Sequence, residues 1–390
     1  MKKYFYFLLT ASVMFSACSG ESPENQSSNF SFVWGDTLMV DTGDSFIDLS
    51  YGLNMADITA DKRQMMHFSQ KKNELSIINL DEMKLERQVQ FDTDGPNSTE
   101  NAYAMTVIGN GPELMLYSWN AFSKFNLDGI KLDKIDTRGS MANNSLSGDT
   151  LAEIETISAR GTIDPSGRYY YGQLLGAYDD QGAMGMGQAN GIAVIDLVNK
   201  SLKKVLIPEL KKLSNYEMFI IQGQSAMIYT SAVYMWSDDE KLLISNSFAN
   251  EVIIYHREAD SVEIKSYESK LSANLQDPPD KSQSDNGKYI EQYLKTKDEQ
   301  ISFNEFVYDP DNKIFIRFSA DTDLSKSTDD KKVKRNIITV FDQDLNMMQE
   351  AIIPEFTEAS ISNYFIKDGK IHFFQNLDDE VAFLTISIQK

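Results

Sequence analysis

The chain has 390 residues, 42% of them hydrophobic and 24% charged, a globular balance that excludes a disordered polypeptide. Fifty-eight acidic against 37 basic residues leave a net charge of −21, which sets nucleic acid aside as a partner because that ligand demands a positive surface. One cysteine and three histidines exclude an intramolecular disulfide and a zinc–thiolate cluster, and no cofactor or metal is implied.

At the N-terminus Lys2 and Lys3 precede an apolar run from Tyr4 to Phe15 that is too short to span a bilayer as a permanent helix. The run ends in Phe15-Ser16-Ala17-Cys18. Small residues before the lone cysteine resemble the bacterial lipobox, with Phe15 at the usually aliphatic position. That resemblance implies a lipoprotein signal peptide over residues 1–17 and acylation of Cys18. Cleavage would remove 17 residues, two lysines among them, and leave 373 residues with a net charge of −23. Residues 18–29 are polar and aperiodic and read as a flexible tether. Ser19 rather than an aspartate after the cysteine favours the outer membrane, facing the periplasm or the surface.

From residue 30 onward one pattern recurs six times: a tight turn and then an apolar strand. The turns are Asp61-Lys62-Arg63, Asn110-Gly111-Pro112, Pro165-Ser166-Gly167-Arg168, Asp238-Asp239-Glu240-Lys241, Pro310-Asp311-Asn312-Lys313 and Lys367-Asp368-Gly369-Lys370. Asp, Asn, Gly and Pro suit such turns because they tolerate or pre-set the required φ. A second hairpin follows each strand, as where Leu75 to Asp81 turns into Leu85 to Phe91. Hydrophobic-Asp-Thr at Val40, Phe91 and Ile135, and Ile-Pro-Glu at Ile207 and Ile353, mark the outer ends of the units. The unit is four antiparallel strands, so residues 30–390 read as an all-β, six-bladed β-propeller. The sixth unit stops after its third strand, and Phe30 to Val40 is a spare strand at the other end of the chain; pairing the two closes the ring and removes an edge.

With the lipobox, this architecture resembles bacterial six-bladed propeller lipoproteins of the TolB-like type, including uncharacterised lipoprotein families of anaerobic Gram-negative bacteria. The resemblance covers nearly the whole chain and implies fold and compartment; propellers host many functions.

Turns between first and second and between third and fourth strands are all short. Five long segments are all connections of the other kind: Asp136 to Ile157, Gly176 to Gly191, Glu209 to Ser231, Glu268 to Ser302 and Ser319 to Arg335. One face is trimmed and the other elaborated, and long loops on a rigid scaffold carry binding. The starts of the innermost strands should build the funnel mouth there, through Tyr103, Arg160, Tyr229, Asn304, Glu305, Asn363 and Tyr364. Arg160 is the one cation among them and suits an anionic or hydroxyl-rich ligand. The function this favours is a membrane-anchored lipoprotein whose loop-rich face binds an envelope protein, peptide or glycan. The alternative is a propeller hydrolase or lyase with a site in the funnel.

Motifs for chemistry are sparse. Gly185 to Gly191 is glycine-rich without phosphate-loop spacing. Asp342-Gln343-Asp344-Leu345-Asn346 lacks the glycine and distal glutamate of a calcium loop. His67 and His372 occupy equivalent strands without a third ligand. No Gly-x-Ser-x-Gly is present, so no catalytic residue is assigned. In Glu268 to Ser302, Lys288 to Lys297 has helical periodicity, with Tyr289, Ile290, Tyr293 and Leu294 on one face.

Overall fold

The computed structural model describes residues 30–176, 191–223, 225–328 and 331–390. Residues 1–29, where a signal peptide, the acylated Cys18 and a tether are expected, lie outside the described residues, as do 177–190 with most of the glycine-rich segment. Among the described residues no helix is long and apolar enough to cross a membrane.

The fold is all-β and built from consecutive antiparallel sheets. Sheet 1 comprises Ala56–Ile58, Gln64–Ser69, Glu74–Asn79 and Lys84–Gln90, and sheet 2 Ala104–Ile108, Glu113–Tyr117, Ala121–Asn126 and Lys131–Asp136. Sheet 3 holds Thr156–Ile163, Tyr169–Leu175, Gly191–Asp196 and Ser201–Leu206, with Ser147–Gly148 added in parallel at its outer edge. Sheet 4 is Val233–Ser237, Lys241–Asn246, Glu251–His256 and Ser261–Ser266. Sheet 5 is Ser302–Asp309, Ile314–Thr322, Lys334–Phe341 and Met347–Ile353. Sheet 6 takes Tyr364–Lys367, Lys370–Leu377 and Glu380–Gln389, and its fourth strand is Ser31–Met39 from the start of the chain.

Sequence pattern explains the stacking. Middle strands are buried on both faces, and alternate side chains serve opposite neighbours. In sheet 1, Met66, Phe68 and Ile77 pack towards sheet 2, while Met65 and Ile78 pack against Phe365 and Phe383 of sheet 6. Four further inter-sheet cores follow in chain order, such as Tyr117 and Phe122 against Tyr170 between sheets 2 and 3, and Phe318 against Tyr364 between sheets 5 and 6. First strands of consecutive sheets lie side by side from sheet 1 through sheet 6. Outer strands are more exposed; Ser261–Ser266 has no buried residue.

A buried cation joins sheets 4 and 5. Arg317 is 2% exposed; it donates to the carbonyls of Asn304 (3.0 Å), Asn246 (3.1 Å) and Ala249 (3.1 Å) and to Asn250 Oδ1 (3.3 Å). Its guanidinium lies over Phe303 and Phe306. Burial pulls its pKa down to about 10, and the fork of donors finds carbonyls in place of a carboxylate.

The N-terminal strand pairs antiparallel with Glu380–Gln389 from Ser31↔Gln389 to Met39↔Ala382, with an irregularity between Trp34 and Thr37. Gly35 sits in that irregularity, where a Cβ would run into the Thr385 hydroxyl. Phe30 is tied to sheet 5: its N–H donates to Gln349 Oε1 (2.7 Å) and its carbonyl accepts from Gln349 Nε2 (2.8 Å). Trp34 meets Phe373 edge-on at 5.6 Å.

The turn asymmetry holds throughout. The insertion between sheets 3 and 4 carries a 3₁₀ helix, Pro208–Tyr216, and a hairpin, Met218–Gln222 with Ser225–Tyr229. The insertion between sheets 4 and 5 carries Gln283–Ser284, paired in parallel with Phe219 and Ile220, and the helix Gly287–Glu299. Asn286 caps that helix, its side chain accepting from Lys288 and Tyr289 N–H. Two insertions distant in sequence thus form one small three-stranded sheet.

Removing residues 30–40 should leave Glu380–Gln389 with an open edge and strip Trp34 from Phe373. The expected result is a lower melting temperature and concentration-dependent aggregation by light scattering. A deletion protein as soluble and heat-stable as the parent would refute the role of this pairing.

Candidate functional site

Two polar groupings lie along the first strands and their entry loops. The inner one centres on Asp57 and Glu305. Asp57, in the first strand of sheet 1, accepts from Ile58 N–H and, across the sheet boundary, from Val107 N–H, both at 2.8 Å. Burial nevertheless raises its pKa to about 6, because loss of water disfavours the carboxylate. Glu305, in the first strand of sheet 5, is raised to about 7 by burial and then by the charge of Asp57. Sheets 1 and 5 are not neighbours in chain order, yet the charge of Asp57 acts on Glu305. Around Glu305, Tyr364 Oη donates to the Glu305 carbonyl (2.6 Å), and Tyr234 Oη donates to Asn304 Oδ1 (3.4 Å). Burial pushes Tyr234 up to about 12, with Glu305 adding to the shift and Arg317 and Arg160 opposing it.

The outer grouping lies on the elaborated face. Tyr103 precedes the first strand of sheet 2 and extends it through its N–H to the Tyr117 carbonyl (2.9 Å). Its ring sits 5.4 Å from Trp119, which is 67% exposed in the turn between the second and third strands. Tyr51, 63% exposed, rises from the turn closed by Gly52, whose φ of +59° favours glycine. Tyr51 and Tyr103 line a cavity of about 150 Å³ with Asp48, Asn54, His67 and Gln70. Against the cost of burial, hydrogen bonds from Ser50 and Ser69 hold Asp48 down at about 2. His67 pairs Nε2 with the Gly52 carbonyl (3.2 Å), and its buried Nδ1 has no protein partner.

Two arginines face this grouping. The register slips by two residues between Ile157 and Gly161, and Arg160 lies exposed in that irregularity. Gly161 permits it, since a Cβ there would strike the Tyr170 ring and the Tyr171 carbonyl. Arg138 donates to Asn120 Oδ1 (3.4 Å) beside Trp119. Burial raises the Tyr103 phenol, while Arg160 and then Arg138 pull the other way.

Of the residues expected at the funnel mouth, Asn304, Glu305 and Tyr364 lie in the inner grouping and Tyr103 in the outer, with Arg160 acting on both. Asn363 is exposed, with φ +50°, and enters sheet 6 beside Tyr364. Tyr229 is not at the start of an innermost strand. It ends the insertion hairpin, edge-on to Tyr293 (6.0 Å) and under Lys297 (4.8 Å). Two apolar runs precede sheet 4, and the second, Val233–Ser237, supplies its first strand; Tyr234 holds the inward position. Sequence reasoning missed Tyr234, Asp57, Trp119, Tyr51 and Arg138. An acid inside the short apolar run Ala56–Ile58 and a tryptophan in a tight turn were the available signals. His372 stacks on Phe365 and His67 bonds to Gly52, so the two serve separate local contacts.

The family profile described as "Domain of unknown function (DUF4221)" matches residues 27–352. The chain belongs to the DUF4221 family. A crystal structure of a DUF4221 member from Bacteroides vulgatus is similar over 94% of this chain and 100% of its own, with a TM-score of 0.64 and 10% identity. A Bacteroides fragilis protein whose name suggests that it is exported is similar over 95% and 98%, with a TM-score of 0.50 and 10% identity. At such identities the likeness concerns the fold alone. No curated protein matches the sequence.

Linkage gives the inner grouping a measurable signature in this DUF4221 protein. A carboxyl whose folded pKa is raised binds its proton more tightly folded than unfolded, so stability falls as pH climbs from the unfolded value near about 4 through the folded value. Here that window ends at about 6 for Asp57 and about 7 for Glu305. Glu305→Gln should remove much of the loss and gain about 2 kcal/mol over the parent between pH 5 and pH 8, read by urea unfolding at both values. Parallel curves for parent and variant would show that Glu305 is not dehydrated.

Proposed function

We propose that the six sheets are the blades of a closed six-bladed β-propeller, held at the outer membrane by acyl chains on Cys18, and that its elaborated face binds a glycan. Support for closure comes from the inter-sheet core joining sheet 6 to sheet 1 and from the first strands lying side by side. Support for the compartment comes from the N-terminal pattern and from likeness to a protein whose name suggests export.

The observation that carries the binding reading is the exposed Tyr103–Trp119 pair with Tyr51, at the mouth of a small polar cavity and beside Arg138 and Arg160. Flat aromatic faces take the apolar side of a sugar ring, and Trp, Tyr and Arg concentrate binding energy. Arginine supplies several fixed donors to hydroxyls or carboxylates. In a chain of net charge −21, two arginines here give local attraction for acidic sugars that the whole surface denies. A second reading, a hydrolase or lyase, draws on Asp57 and Glu305, two carboxyls whose pKa values burial raises towards neutrality.

Calorimetric titration of neutral and acidic envelope oligosaccharides tests the binding reading. Trp119→Ala should weaken binding at least tenfold, and Arg160→Ala should weaken acidic oligosaccharides more than neutral ones. Equal affinity in parent and both variants would place the site elsewhere. Chromatography of the recovered oligosaccharide separates retention from turnover, since shortened product lost in Glu305→Gln would favour the enzyme. For the anchor, Cys18→Ala should abolish incorporation of a labelled fatty acid and free the protein from membranes. Undiminished labelling of the variant would overturn it.

A further inference from the structure

A second cavity, of about 340 Å³, lies between sheets 2 and 3 and opens beside the trimmed turns, away from the glycan face. Its floor is apolar: Met115, Phe122 and Ile135 are buried members of the core between these sheets, with Ile108 and Leu197 beside them. Its walls carry Lys124, Lys134 and Lys200 against Glu113 and Asp133. Lys124 pairs with Glu113 (3.0 Å), and Lys200 reaches across from the sheet 3 turn to Asp133 (2.7 Å). Lys134 shares Glu100 (2.9 Å) with Lys131 (2.8 Å). Three lysines therefore line the cleft against two carboxylates, an excess of positive charge in a strongly acidic chain. The pairs are partly solvent-exposed, and pairs of that kind contribute little and exchange readily.

We infer that this cleft binds a medium-chain carboxylate, with its alkyl chain on the Met115–Phe122–Ile135 floor and its head group on the lysines. The volume lies at the small end of ligand pockets and admits about ten non-hydrogen atoms at roughly 30 Å³ each, the size of octanoate. A neutral hydroxyl-rich ligand would leave the floor uncovered. An alkylammonium would meet the lysines with like charge. No bond is made or broken, and the site does not depend on the glycan-binding reading.

Octanoate titrated into the full-length protein, followed by calorimetry and by NMR of the labelled ligand, tests the inference. Octanoate should bind, and octylammonium should bind at least tenfold more weakly. Hexanoate should lose about fifteenfold, from about fourfold per methylene. Val198→Trp, at a position 72% exposed on the mouth, should block entry and cut affinity at least tenfold. Lys200→Met, which leaves the floor intact, should do so without altering the melting temperature by more than a few degrees. Absence of octanoate binding at millimolar concentration, equal affinity for octylammonium, or affinity unchanged in both variants would each overturn the proposal.

Discussion

Everything in this molecule follows from the fact that its middle strands are apolar on both faces. A sheet of that kind is stable only between two others, so each must be flanked, and a row of such sheets has no comfortable end. Met65 and Met66, adjacent in one strand, bury against different neighbours. The chain meets the constraint at its termini. Sheet 6 is completed by residues 31–39, which also carry Trp34 onto Phe373 and fix Phe30 to Gln349 of sheet 5. An N-terminal strand is thereby tied to the C-terminal end of the chain, which makes the pairing a long-range contact with a high closure cost.

Once the sheets are stacked, the polar groups have few places to go. Arg317 solves its burial with carbonyls of two adjacent sheets and the faces of two phenylalanines. Asp57 and Glu305 solve theirs less completely, and their raised pKa values are the cost of burial. The exposed aromatics are found one layer further out, on the elaborated side, where two entry loops and the turn after Tyr117 hold Tyr51, Tyr103 and Trp119 near one polar cavity. The trimmed side carries a different chemistry, an apolar cleft rimmed by lysines.

The four-strand unit, the six turns and the spare N-terminal strand were legible in the sequence because each depends on local chemistry. Turns need residues that accept particular φ values, and strands need apolar runs of a set length; both leave marks within about ten residues. The helix after Asn286 was legible for the same reason. The long connections all belong to one kind, and that too is countable along the chain.

Neighbours across space were not countable. Tyr229 stood in an apolar run as plausible as the one that became the first strand of sheet 4. Only the pairing of Met218–Gln222 with residues 225–229 and with Gln283–Ser284, some sixty residues away, assigns it to the insertion. Asp57 and Glu305 are almost 250 positions apart, and only the packing of the sheets lets the charge of one act on the other. Arg160 lies exposed in a two-residue slip that needs glycine at 161 beside the Tyr170 ring. The sequence by itself determined the class, the repeat and the complementary ends, since those are properties of local propensity and periodicity. Which side chains meet was decided by the tertiary structure, because packing two-faced sheets against one another sets distances that no interval along the chain encodes.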